Sequence, residues 1–154
     1  MYKDKSIHYL HLTLLPSVRS IIHRPDSWEF LYVVKGAGVC TCQSQPSLFV
    51  SGDLALLPPA VDCRYQFSEA VTDGKGQAEY ISLCIAPSFL EALTINFPEF
   101  TQSVQLFLPT HQTIRFSALI AAAIAEELVA MSPLSDAARL PHLLRLLSLL
   151  PDVG

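Results

Sequence analysis

Between His23 and Tyr65 the chain alternates short apolar runs with turn signals. WEFLYVV, SLFV and LALL are separated by Lys35-Gly36-Ala37-Gly38, Ser51-Gly52-Asp53 and Pro58-Pro59. Runs this brief, rich in Val, Phe, Tyr and Leu and closed by Gly, Pro, Ser and Asp, read as strands of an antiparallel sheet or small barrel. What such a barrel holds decides what the protein does.

The flanks extend the pattern. IHYLHLTLL, residues 7–15, reads as a strand with Leu10, Leu12 and Leu14 on one face and Tyr9, His11 and Thr13 on the other. VRSIIH, 18–23, reads as a second strand stopped by Pro25, and WEFLYVVKG, GVCTCQ and SLFVSGDLALLPP as three more at hairpin spacing. VDCRYQF, 61–67, is another; after a polar turn at 72–76, AEYISLCI is a last long strand ended by Pro87. Beyond it the character changes. Ser88 is an expected N-cap for FLEALTINF, with Glu91 at the capping-box position. Thr113 to Met131 reads as one helix, with Phe116, Ile120, Ile124 and Leu128 on a single stripe. Ser135 or Asp136 caps a second helix, whose Pro141 falls in its first turns. Leucine fills so much of residues 140–150 that this helix must be buried or lie in an interface. The expected fold is α+β: a mainly antiparallel barrel over residues 1–87, then a helical part, 88–154, that ends in a hairpin.

Composition narrows the function. Half of the 154 residues are hydrophobic and 16% are charged, so part of the surface is expected to be covered by a partner or a missing segment. The longest apolar stretch, Phe116 to Ala125, is too short to cross a bilayer, and the N-terminus has no cleavage site of a signal peptide. A net charge of −4 argues against nucleic-acid binding by this chain itself. Cys40, Cys42, Cys63 and Cys84 match no secreted disulfide framework, and four free thiols in a reducing cytoplasm are expected. Cys40-Thr41-Cys42 has no second Cys/His pair at zinc-finger spacing and reads as β-packing; His111 and His142 stand alone. No nucleophile motif and no phosphate-cradling loop is present, so no catalytic residue is assigned.

By strand parity Glu29, Leu31 and Val33 share one face, and Trp28, Phe30 and Tyr32 the other. Tyr80, Ser82 and Cys84 share a face of the last strand and are expected to point inward. A buried Glu29 needs a partner, and Arg24 or Tyr65 are the candidates.

Glu29-x6-Gly36 and Gly52-x5-Pro58 resemble the two motifs of the cupin barrels. On those motifs the metal histidines fall on His23, Pro25 and Cys63, so two of three are absent. His23, Glu29 and Cys63 could form a three-ligand zinc site, and a stand-alone metal-dependent isomerase or dioxygenase is the alternative reading. The sequence is more similar to the N-terminal domain of AraC-type transcription regulators. GDLALLPPAV, Arg24-Pro25 ahead of WEFLYVVKGAG, and EYISLCIAPSFL carry that resemblance. It implies a metal-free, cofactor-free cupin-like barrel that binds a small-molecule effector in the cytoplasm, and a homodimer formed through the C-terminal hairpin. DNA would be bound only through a helix-turn-helix domain not in this chain, and no membrane would be involved. Carried onto these residues, the resemblance and the strand parity give Arg24, Glu29, Cys63, Tyr65, Tyr80 and Ser82 as ligand-binding. Cys63 and Ser82 stand where the family's sugar-responsive archetype has ring-bearing groups, which implies a differently shaped pocket. Phe116, Ile120, Ile124, Leu128, Leu143, Leu144 and Leu147 are the expected dimer contacts.

Overall fold

A computed structural model describes residues 5–15, 20–68, 77–107 and 112–151. Its strands are β1 (Ile7–Leu14), β2 (Ile21–Ile22), β3 (Trp28–Lys35), β4 (Ala37–Cys42), β5 (Gln45–Val50), β6 (Leu54–Leu57), β7 (Cys63–Phe67), β8 (Ala78–Ile85) and β9 (Ile114–Arg115). They form two antiparallel sheets, β1-β8-β3-β6-β9 and β2-β7-β4-β5. Three helices follow or interleave: α1 (Pro87–Asn96), α2 (Ala118–Ala130) and α3 (Asp136–Ser148). The result is the expected α+β, cupin-like layout, with the barrel left open rather than closed.

The middle strands β3 and β8 are covered on both sides, which is why WEFLYVV and AEYISLCI read as nearly unbroken apolar runs. Parity sorts them as expected. Trp28 and Phe30 face the helices, together with Ile81, Leu83 and Ile85, whereas Leu31, Val33 and Tyr80 face the second sheet. SLFVSGDLALL makes two strands that enter different sheets. Gly52, at φ +92°, donates from its amide to Val33 O at 2.8 Å and turns the chain from β5 into β6. Gly38 has another role: a Cβ there would lie 2.0 Å from Gln66 O on β7, so only glycine lets β4 and β7 approach this closely.

Three local expectations are corrected. The expected N-cap Ser88 lies inside α1: Ala86 is the cap residue and Pro87 occupies the first turn, where its missing amide costs nothing. The helix expected from Thr113 starts only at Ala118, capped by Ser117, whose hydroxyl accepts from Ile120 N. The residues before it form β9, and Ala55 pairs with Arg115 and Leu56 with Ile114. The third concerns the dimer stripe. Ile124, Leu128, Leu143 and Leu147 have no solvent exposure within this one chain, and Phe116, Ile120 and Leu144 pack against the same core. A two-helix hairpin covering a sheet must turn its broadest apolar stripe inward, so these residues hold the hairpin to its own barrel. What α2 leaves outside is Leu119, 84% exposed, with Ala122, Glu126 and Val129.

The two sheets meet along two seams. At the β9–β5 seam Arg115 reaches across: its Nη1 donates to Leu48 O at 2.9 Å and its Nη2 to Cys40 Sγ at 3.0 Å. At the β1–β2 seam a cavity opens instead.

Candidate functional site

Glu29 is inward and 3% exposed, as its parity requires. Its partners are neither Arg24 nor Tyr65. One oxygen lies 2.8 Å from His23 Nδ1, and the other accepts from Ser82 Oγ. Ser82 reaches it because β3 and β8 pair with Glu29 opposite Cys84 and Leu31 opposite Ser82, which makes Glu29 and Ser82 diagonal neighbours. His23 Nε2 is 2.7 Å from Pro58 O, an acceptor only, so that nitrogen carries the hydrogen. Every member of this buried set therefore has a partner.

A cavity of about 170 Å³ lies above this set. Glu29, Tyr80, Ser82 and Cys84 form its floor, Leu10 and Leu14 of β1 one wall, and Ile21 and Ile22 of β2 the other. Arg24 stands half-exposed at its edge, 3.7 Å from the exposed Asp26. The Cys84 thiol is pushed up to about 12, first by burial and then by the charge of Glu29, so it is an inert wall rather than a nucleophile. Four of the six expected ligand residues, Arg24, Glu29, Tyr80 and Ser82, thus come together. The lining from β1 and β2 has no sequence motif: isolated leucines and isoleucines look alike whether they line a cavity or fill a core.

The other two expected residues lie elsewhere. Tyr65 lines a separate cavity of about 70 Å³ together with Arg115, with its ring 5.0 Å from that of Phe49. Burial, then the neighbouring Cys40, raises its hydroxyl above the ordinary tyrosine range. Cys63 is bonded to Cys42, the residue directly opposite it in the β4–β7 register. The expectation of four free thiols is therefore corrected: Cys40 and Cys84 are free and buried, and Cys42 and Cys63 are paired. This pairing needs a strand register that sequence spacing does not contain. It also dismantles the alternative metal triad, since the Cys63 sulfur is committed and both His23 ring nitrogens face protein partners. Among the described residues no group of three His, Cys, Asp or Glu side chains is arranged to hold a metal ion. His142 lies 3.4 Å from Glu127, and His111 is outside the described residues.

The cavity's β1 wall has a second attachment. His8, Leu10 and Leu14 face the cavity, while Tyr9 and His11 face the helical hairpin. Tyr9 OH donates to Leu128 O at 2.6 Å, and His11 Nδ1 is 3.0 Å from Ser132 Oγ. Arg139 of α3 stacks over the Tyr9 ring at 4.3 Å and donates through Nε to Met131 O at 2.9 Å.

The open two-sheet barrel, with its polar-floored cavity and packed helical hairpin, is a cupin-like architecture. Residues 16–150 match the AraC-like ligand binding domain, and the chain belongs to that family. The apo structure of ToxT K231A from Vibrio cholerae is similar, with a TM-score of 0.57 at 10% identity, over 96% of this chain and 55% of that one. ToxT from Vibrio cholerae O395 bound to (E)-4-(8-methylnaphthalen-1-yl)but-3-enoic acid gives 0.54 at 9% identity, over 92% and 54%. At these identities the likeness is one of fold, and this chain spans about half the length of the ToxT chains. An RmlC-like cupin of Methanocaldococcus jannaschii gives 0.45 at 20% identity, over 58% and 80%, too low to add to the fold assignment. Compared with curated protein sequences, the chain has no match.

Proposed function

We propose that this chain is the effector-binding and dimerisation part of a bacterial AraC-type transcription regulator that senses a small molecule in a metal-free barrel. The observation that carries this reading is the cavity at the β1–β2 seam, one wall of which is bonded through its other face to the α2–α3 hairpin. A ligand that fits one position of β1 better than another shifts the hairpin by its differential affinity. On this reading the barrel, residues 1–87, receives the effector, and residues 88–154 convey its presence to a DNA-binding domain that lies C-terminal in the whole regulator. The protein works in the cytoplasm as a homodimer and catalyses no reaction. Dimerisation uses the outer face of α2 around Leu119, Ala122 and Val129, because the inner stripe is already occupied.

A thermal-shift screen tests the effector site. A ligand at a hundredfold excess over its Kd should raise Tm by about 5–10 °C, and Leu10→Trp, which fills the cavity from a half-exposed position, should abolish the shift. A shift that survives Leu10→Trp would move the effector elsewhere. Sedimentation tests the dimer: Leu119→Asp, at an exposed position, should yield a folded monomer. A wild-type monomer at tens of micromolar would refute the dimer.

A further inference from the structure

Resting on that effector-site reading, we infer the chemistry of the ligand: a small amphoteric molecule that carries a carboxylate, a hydroxyl or ammonium donor, and a short aliphatic body. Three observations meet here. The first is Arg24. Among the described residues its guanidinium makes no hydrogen bond, and its one ionic neighbour, Asp26, is 3.7 Å away and 70% exposed. A planar fork of donors at the edge of a cavity suits a carboxylate, which it can hold through two parallel bonds.

The second is Glu29. A carboxylate has about four lone-pair positions. Ser82 Oγ donates to one oxygen, His23 Nδ1 lies 2.8 Å from the other, and the group still borders the cavity. The remaining acceptor capacity borders a cavity open at one edge and walled by Leu10, Leu14 and Ile21. A ligand that displaces water there must bring a donor or leave an acceptor unsatisfied. Simple fatty acids are disfavoured on this count, since their tails would desolvate Glu29 without pairing it. Simple amines are disfavoured by Arg24. The two charges together select a molecule carrying both an acceptor and a donor.

The third is the space and its walls. About 170 Å³ is close to the size of cavities known to take a benzene ring, so roughly six to nine non-hydrogen atoms fit, with the carboxylate reaching the open edge. Leu10, Leu14 and Ile21 bound that space with aliphatic surface, which suits a branched chain and offers a polyhydroxylated ring little to hydrogen-bond.

Calorimetric titration of the whole chain tests this with five probes. 2-Hydroxyisovalerate and valine carry both groups and differ in the donor; isovalerate lacks the donor; methyl 2-hydroxyisovalerate lacks the charge; isobutylamine lacks the acid. At least one of the first two should bind, and the last three should bind at least tenfold more weakly. Arg24→Gln, at a half-exposed position that the fold does not need, should weaken the acid by about 10- to 100-fold and leave the methyl ester unchanged. Ser82→Ala, a small change on the floor, should alter the preference between the hydroxy acid and the amino acid by reorienting Glu29. Isovalerate binding as well as its hydroxylated analogue overturns the donor assignment. No binding by either amphoteric probe overturns the ligand class. If benzene nonetheless enters the cavity of the wild type and not of Leu10→Trp, the cavity as effector site stands without that class. Exclusion of benzene as well brings down the effector reading with it.

Discussion

On its helix-facing side the five-stranded sheet presents Phe30, Leu56, Ile81, Leu83 and Ile85, all without solvent exposure and all in one apolar cluster with α2 and α3. On the side facing the second sheet the same strands present Glu29 and Ser82 beside Leu31 and Val33, with His23 completing a polar set beneath a cavity. Neighbouring residues on β3 therefore serve opposite ends: Phe30 fills a dry core, and Glu29 floors an open one. The first side gains stability from area removed from water and close packing. The second gives up part of that gain to keep polar groups and empty space, which a core does not need and a binding site does.

The strongest way to break this comparison is to cut into both sides equally. Phe30→Ala should cost about 3–5 kcal/mol, whereas Ser82→Ala, which removes one hydrogen bond next to existing space, should cost about 1 kcal/mol. Denaturant unfolding reads both, and equal losses would mean that the two faces do not differ in the way described. Next in size is the Cys42–Cys63 bridge, which joins β4 to β7 on the cavity-bearing side. Reduction should lower stability by about 2–4 kcal/mol in the loop-closure picture. Thiol titration checks the pairing itself: in denaturant two thiols should react before reduction and four after it. A third difference lies at alkaline pH, where the Cys84 thiol on the cavity side is the group to follow. The folded Cys84 thiol ionises only near 12, against an ordinary value of 9.0, so the unfolded state sheds its proton first. Its contribution is whole below about pH 9 and is lost as pH rises toward 12. Cys84→Ser should flatten that arm of the stability profile; an unchanged arm would assign it to Tyr65 or to lysines.

Much of this contrast could be read from the chain before any coordinates. Period two along WEFLYVV separated Glu29, Leu31 and Val33 from Trp28, Phe30 and Tyr32, and along AEYISLCI it put Tyr80, Ser82 and Cys84 on one face. Single polar residues inside apolar strands marked the site because burying them requires a partner. The partners were harder. His23 enters the motif only as part of an alternative metal triad, not as the partner of Glu29, since motif spacing gives proximity but no direction. Cys63 pairs through strand register, a long-range property absent from local pattern. β9 merges with the helical pattern that follows it, because two residues are too few to show a period. The amphipathic stripe of α2 and α3 was visible, but a stripe does not say whether it meets a partner or its own sheet. Here the sheet claims it.

Arg115 lies at the seam where the sheets fail to join through backbone bonds. β5 is an edge strand with Leu48 and Val50 exposed, the kind of strand that recruits other chains into mixed sheets. One guanidinium occupies the carbonyl of Leu48 on that edge, and Pro46 removes an amide from it. The same contact that stitches the seam therefore also acts as a guard on solubility. Loss of Arg115 would be felt less as lost stability than as chains adhering to one another along β5.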